Sequence, residues 1–217
     1  LQAAGHKVFT LTLTGIGERS HLLSRDINLE THILDVVNLI RWEELSDVIL
    51  CGHSYAGAVV SGAADQLAGR IRALVYLDAF LLDSGESLHA TLPAAQREHQ
   101  LHLAAEVGEG WKVPPIPAAV FQVNPADADW VNRQCTMHPL AAFQQPLHLS
   151  GRLKEIGDVT YIHATGWAQA SPFGPHAARA HHRGYRMAEM GCGHDVMLDE
   201  PEALAKLLLG VAIGSSH

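Results

Sequence analysis

Residues 47–60 read DVILCGHSYAGAVV, and their order decides the fold. Asp47 to Cys51 closes on a short continuous apolar run, the pattern of a strand buried on both faces. From Ser54 to Leu67 small and apolar residues continue without Pro, which predicts a tightly packed helix. The chain must pass from strand to helix at Ser54. So tight a turn strains the serine backbone and demands small residues two places before and after it. Gly52 and Ala56 supply them, giving G-x-S-x-A-G rather than strict G-x-S-x-G. The turn would push the Ser54 hydroxyl out at the carboxyl edge of a sheet. It would also aim the helix N-terminus, with the Tyr55 N–H as an oxyanion donor, at a reacting carbonyl.

Elements of the same kind lie on either side. VFTLTL (Val8 to Leu13) is rich in β-formers and is followed by a Gly-bearing loop, TGIGERSH. Leu29, Ile33, Val36, Val37 and Ile40 fall at helical spacing. ALVYLDAF (Ala73 to Phe80) reads as a second buried strand, VTYIHA (Val159 to Ala164) and YRMAEM (Tyr185 to Met190) as two more. Helices are expected around His176 to His182 and from Pro201 to Val211. Five strand candidates alternating with helices predict an α/β fold with a mostly parallel sheet covered on both faces. Residues 84–153 break the rhythm. They hold most of the prolines and helical pieces near Pro93 to Val107 and Asp127 to Met137, without a strong strand. The expected organisation is a core of residues 1–83 and 154–217 with a helical cap inserted at 84–153.

Composition narrows the function classes. The 217 residues suit one domain with a sizeable core, and 47% hydrophobic against 18% charged residues is an ordinary globular balance. A formal net charge of -8 argues against nucleic-acid or anionic-membrane partners, both of which need a basic face. No apolar run approaches a membrane span. Cys51, Cys135 and Cys192 are too far apart for a metal or disulfide pattern, so a reducing cytoplasm is expected; Cys51 reads as a buried thiol.

A serine hydroxyl needs a base. Of 15 histidines, His194 stands in the glycine-rich loop Gly191-Cys192-Gly193-His194-Asp195, between the last expected strand and the last helix. Loops at the carboxyl ends of strands line the site in an open α/β sheet. A surface-loop histidine is the bland alternative. His181 and His182 lie in a basic helix, His99 and His102 in the expected cap, and His53 is expected to point away from Ser54. No H-E-x-x-H occurs, so no metal and no cofactor are called for.

The third member should orient the imidazole and stabilise its charged form. It could end the strand beside the nucleophile strand or follow VTYIHA. Residues 159–188 contain no Asp or Glu, Asp158 precedes its strand, and Asp195 abuts His194. Asp78 is left, with a turn cap as its alternative role.

TGIGERSHL, THILDVVNLI, DVILCGHSYAG, LVYLDAF and GCGHDVMLDEPEALAKLLL together resemble the α/β-hydrolase superfamily. More narrowly they resemble bacterial esterases related to pyrethroid hydrolases, with plant methylesterases and hydroxynitrile lyases as more distant relatives. The resemblance implies the α/β-hydrolase fold and cofactor-free hydrolysis of a small-molecule ester, with Ser54 as nucleophile and His194 as base. In the plant relatives the acid follows the strand matching VTYIHA, where this chain has none; other members place it at the position of Asp78. The family also has an earlier strand whose backbone supplies a second oxyanion donor. The chain opens at Leu1 after that point, so N-terminal strands are expected to be missing and the 217 residues alone to be poorly active or poorly folded. Trp111, Phe121, Trp130, Phe143, Trp167 and Phe173 are candidates for an apolar pocket or for core. A hydroxynitrile lyase or C–C hydrolase on the same three residues, or a low-turnover ligand-binding protein, are the alternatives to an esterase.

Overall fold

The computed structural model describes residues 1–167 and 171–214. Among them are six strands: β1 (Val48–Ser54), β2 (Ile71–Ala79), β3 (Lys112–Val113), β4 (His138–Pro139), β5 (Asp158–Ala164) and β6 (Arg186–Met190). Four of these form one parallel sheet in the order β1-β2-β5-β6. The α-helices are α1 (Leu29–Trp42), α2 (Ala56–Gln66), α3 (Leu88–Thr91), α4 (Ala94–Val107), α5 (Pro125–Gln134), α6 (Leu140–Gln144), α7 (Gly174–His182), α8 (Val196–Asp199) and α9 (Pro201–Ile213).

β2 is central, and Ala73 to Ala79 are all buried, as a strand covered on both faces must be. α1 begins where the Asn28 side chain accepts the Thr31 N–H and the Thr31 hydroxyl accepts the Asn28 N–H. Its face of Leu29, His32, Ile33, Val36, Val37 and Ile40 is buried, and Ile33 lies against α2 at Gly62.

Two sequence expectations are corrected by the structure. Val8 to Leu13 is not a strand; Phe9 and Leu11 are each 37% exposed. β propensity is a fit to a pleated, half-buried surface, and among the described residues this stretch is paired with no strand. Cys51 is exposed rather than buried: among the described residues β1 is an edge strand with β2 as its single neighbour.

Residues 84–153 carry α3 to α6 and the short antiparallel pair β3–β4, a strand pair the sequence did not announce. Leu88, Leu92 and Leu147 of this segment join the main core, while Ala104, Val113 and Leu140 form one small cluster and Ala118, Val123 and Val131 another. Both ends of the segment are tied to the rest. Glu86 meets Arg179 of α7 at 3.0 Å. At the other end the buried Asp65 carboxylate of α2 accepts from Ser150 N, Ser150 Oγ, Gly151 N and Leu153 N at 2.7 to 3.2 Å. Burial alone would raise the Asp65 pKa, but these hydrogen bonds outweigh it and hold the carboxyl below its ordinary value.

Candidate active site

The carboxyl ends of the four parallel strands converge, and each contributes one piece. Ser54 ends β1 with φ of 54°, a left-handed backbone that a serine adopts only under constraint. The constraint is close packing around the turn. A Cβ on Gly52 would lie 2.6 Å from Ala56 O, and one on Gly57 would lie 2.3 Å from Phe80 O. Ala56 is therefore not the tightest position; Gly57, one residue on, lets α2 start against the end of β2. Tyr55 precedes α2, and its N–H is one of the donors that the first helical turn leaves free.

Asp78 sits beside Ser54 through a bulge. His53 is paired with Leu77 and Ser54 with Ala79, so Asp78 is passed over and takes φ of 41°. Its carboxylate is fully buried. Oδ2 accepts His194 Nδ1 at 2.8 Å and Trp167 Nε1 at 2.9 Å, and Oδ1 accepts Ala164 N at 3.2 Å. The bond to Asp78 places the His194 proton on Nδ1 and leaves Nε2 as the basic atom.

His194 is 1% exposed. Its loop is clamped: His194 N–H donates to Phe121 O at 2.9 Å, and Asp199 accepts from Gly193 N at 3.1 Å and Asn124 N at 3.0 Å. Gly193 is required because a Cβ there would lie 2.5 Å from Gln122 O. The His194 ring is enclosed by Phe173, Trp167 and Phe121, with centroids 5.0, 4.6 and 4.8 Å away. Burial holds this imidazole well below its usual range and pushes the Asp78 carboxyl up to about 6, so near pH 7 the pair is a neutral histidine on a carboxylate. That is the state a general base requires.

The structure thus brings Ser54, Asp78 and His194 to one rim of the sheet. No hydrogen bond joins the Ser54 hydroxyl to His194 here; such contacts are often loose without substrate and tighten around it. Asp158 opens β5 at the opposite rim and pairs with Arg186, and Asp195 lies 4.0 Å from His53 rather than on His194 Nδ1. Of the six aromatic candidates, Phe121, Trp167 and Phe173 surround His194. Phe143 stacks on His138 beside Tyr55, while Trp130 is 50% exposed and Trp111 lies near Lys112.

His53 does not point away. Its Nε2–H donates to His194 O at 3.0 Å, and the two rings are 4.3 Å apart. His53, His194 and Asp195 each bring one side-chain N or O atom within 4.8 Å of the others, with His53 Nε2 donating to the His194 carbonyl and His194 Nδ1 to Asp78.

A second group went unread in the sequence. His32 donates from Nε2 to Thr14 O at 3.0 Å and accepts the Tyr55 hydroxyl at Nδ1, at 2.7 Å. Burial keeps His32 below its ordinary pKa. The network fixes the Tyr55 side chain, next in sequence to Ser54. His32 falls on the buried stripe of α1, a position that from spacing alone reads as plain core.

A family model described as "Alpha/beta hydrolase family" matches residues 1–207. The chain belongs to that family. A carbendazim-hydrolysing esterase from Nocardioides sp. (strain SG-4G) is 45% identical over 216 residues, covering 96% of this chain and 89% of the relative. Among solved structures, an extracellular alpha/beta-hydrolase from a Paenibacillus species superposes with a TM-score of 0.81 at 25% identity, covering 96% of this chain and 88% of the other. A pyrethroid hydrolase from Sphingobium faniae JZ-2 superposes at 0.73 and 23% identity, covering 97% and 88%, and speaks for the fold alone. As in other α/β-hydrolases the sheet is mostly parallel and flanked by helices. Among the described residues no helix is long and apolar enough to cross a membrane.

Proposed function

We propose that this α/β-hydrolase cleaves carboxylic esters through an acyl-enzyme on Ser54. Membership of the family and the 45% identical esterase support carboxylic ester hydrolysis. The observation that carries the mechanism is the buried bond from His194 Nδ1 to Asp78, next to Ser54 on the same rim. His194 Nε2 takes the proton of the Ser54 hydroxyl as the oxygen attacks the ester carbonyl. The Tyr55 N–H faces the oxyanion. Asp78 stabilises the imidazolium, which then protonates the leaving alcohol. Water, activated by the same histidine, attacks the acyl-enzyme and releases the acid.

The aromatic ring around His194 favours small hydrophobic esters, and residues 84–153 act as the cap that closes over them. Three free thiols favour a reducing, cytoplasmic setting. The test is a panel of p-nitrophenyl esters, pyrethroid esters and carbendazim, run on the protein and on Ser54→Ala. Turnover should fall by roughly 10⁴–10⁶ in the variant, and a fluorophosphonate probe should label only the parent. Ester turnover unchanged by Ser54→Ala would end the proposal.

A further inference from the structure

Trp167 lies on the turn that follows β5. Its indole N–H donates to Asp78 Oδ2, the oxygen that also holds His194 Nδ1. The side chain is buried, and the turn beneath it is pinned to the stretch that carries His194. Thr165 N–H donates to Met190 O at 2.8 Å and Gly166 N–H to Cys192 O at 2.9 Å. A Cβ on Gly166 would lie 2.5 Å from Cys192 O, so this close approach requires glycine.

The loop after β5 contributes no carboxylate to the site. The end of β5 and this loop contribute donors instead, Ala164 N–H and the Trp167 indole. A carboxylate as buried as Asp78 tends to hold its proton, and a protonated Asp78 cannot stabilise an imidazolium. The titratable groups facing it are His194 from the loop after β6, His53 from β1, His163 and Tyr161 from β5, and the Cys192 thiol. Even with its donors in place, burial pushes the Asp78 carboxyl up to about 6. An indole N–H is a donor only: it stabilises the anion and cannot compete with His194 for the serine proton.

We propose that Trp167 is a positioning residue for the hydrolysis, whose indole N–H keeps the Asp78 carboxylate charged and aimed at His194. The proposal rests on the acid role given to Asp78 above. Two variants isolate the N–H: Trp167→Phe, and replacement of Trp167 by β-(3-benzothienyl)alanine, which puts sulfur in place of N–H in a ring of nearly the same shape. The acid limb of the kcat/KM profile should move up by about one pH unit. At pH 7 kcat should fall about twofold, and at acid pH, well below the parent limb, about tenfold, returning to the parent value in mild alkali with KM nearly unchanged. The low-field proton resonance of His194 Nδ1–H, assigned by its loss in His194→Gln, should titrate at correspondingly higher pH in both variants.

A pH profile in the benzothienyl protein that coincides with the parent's overturns the proposal. So does a loss of kcat at every pH without displacement of the limb, the mark of a merely structural role. If the Trp167→Phe protein fails to fold, the benzothienyl variant decides. The resonance needs no turnover, so Trp167 is judged even if the ester panel or Ser54→Ala refutes the hydrolase reading.

Discussion

At the scale of single residues, burial sets the chemistry. His194 and Asp78 are both shielded from water, and shielding disfavours charge on each; the three hydrogen bonds to Asp78 tip the pair toward carboxylate and neutral imidazole. Activity needs that state. Since the Asp78 carboxyl is pushed up to about 6, kcat/KM should be flat near neutral pH and fall about tenfold per unit below that value. A pH–rate profile of the parent checks this, and an acid limb two units lower would contradict it. Asp78→Asn keeps the shape but presents an N–H₂ or a neutral oxygen to Nδ1. It should lower kcat by about 10⁴ while leaving KM nearly unchanged, measured on the best ester of the panel. Asp78 was the acid reachable by elimination in the sequence. Its partners Trp167 and Ala164 were not, because a donor to a buried carboxylate has no local signature.

At the scale of elements, the turn between β1 and α2 shows why small residues are placed where they are. The motif puts Gly52 and Ala56 around Ser54, yet the tightest approach is Gly57 to Phe80. Gly57→Ala should force α2 away from the end of β2, costing about 1–3 kcal/mol in urea unfolding and lowering kcat by displacing Ser54. The junction between α2 and the end of segment 84–153 depends on Asp65 in the same way. Asp65→Ala removes an acceptor shared by three backbone N–H groups and one hydroxyl. A loss of about 3 kcal/mol or more is expected from the stranded donors, read as a lowered denaturation midpoint; a change under about 0.5 kcal/mol would show that water replaces the carboxylate freely. Most helices were legible from spacing and from their terminal residues. Val8 to Leu13 was not, since a strand is made by its neighbours and propensity speaks only for the segment itself.

At the scale of the whole molecule, several histidines are held neutral at once. His32 and His176 are buried, and desolvation lowers the pKa of both below the unfolded value. For a group shifted in that direction the unfolded chain binds more protons. Stability is therefore full above the unfolded pKa of about 6.5 and is lost as pH falls below it, by up to about 1.4 kcal/mol per unit for each such histidine. Urea midpoints should be level from pH 7.5 to about pH 6.5 and fall from there to pH 5. His32→Gln, which can still accept from Tyr55 and donate to Thr14, should flatten part of that slope. The alternation of apolar runs and helices, the strand-to-helix turn at Ser54, and a late glycine-rich loop with His194 are properties of local sequence. Periodicity and backbone sterics act over a few residues, so these were decided by the chain itself. Which carboxylate meets His194, what donates to that carboxylate, that His53 turns inward and that Cys51 is exposed were decided only by the tertiary structure. Each depends on groups up to 141 residues apart meeting at the rim of the sheet, and no pattern of neighbours along the chain encodes such a meeting.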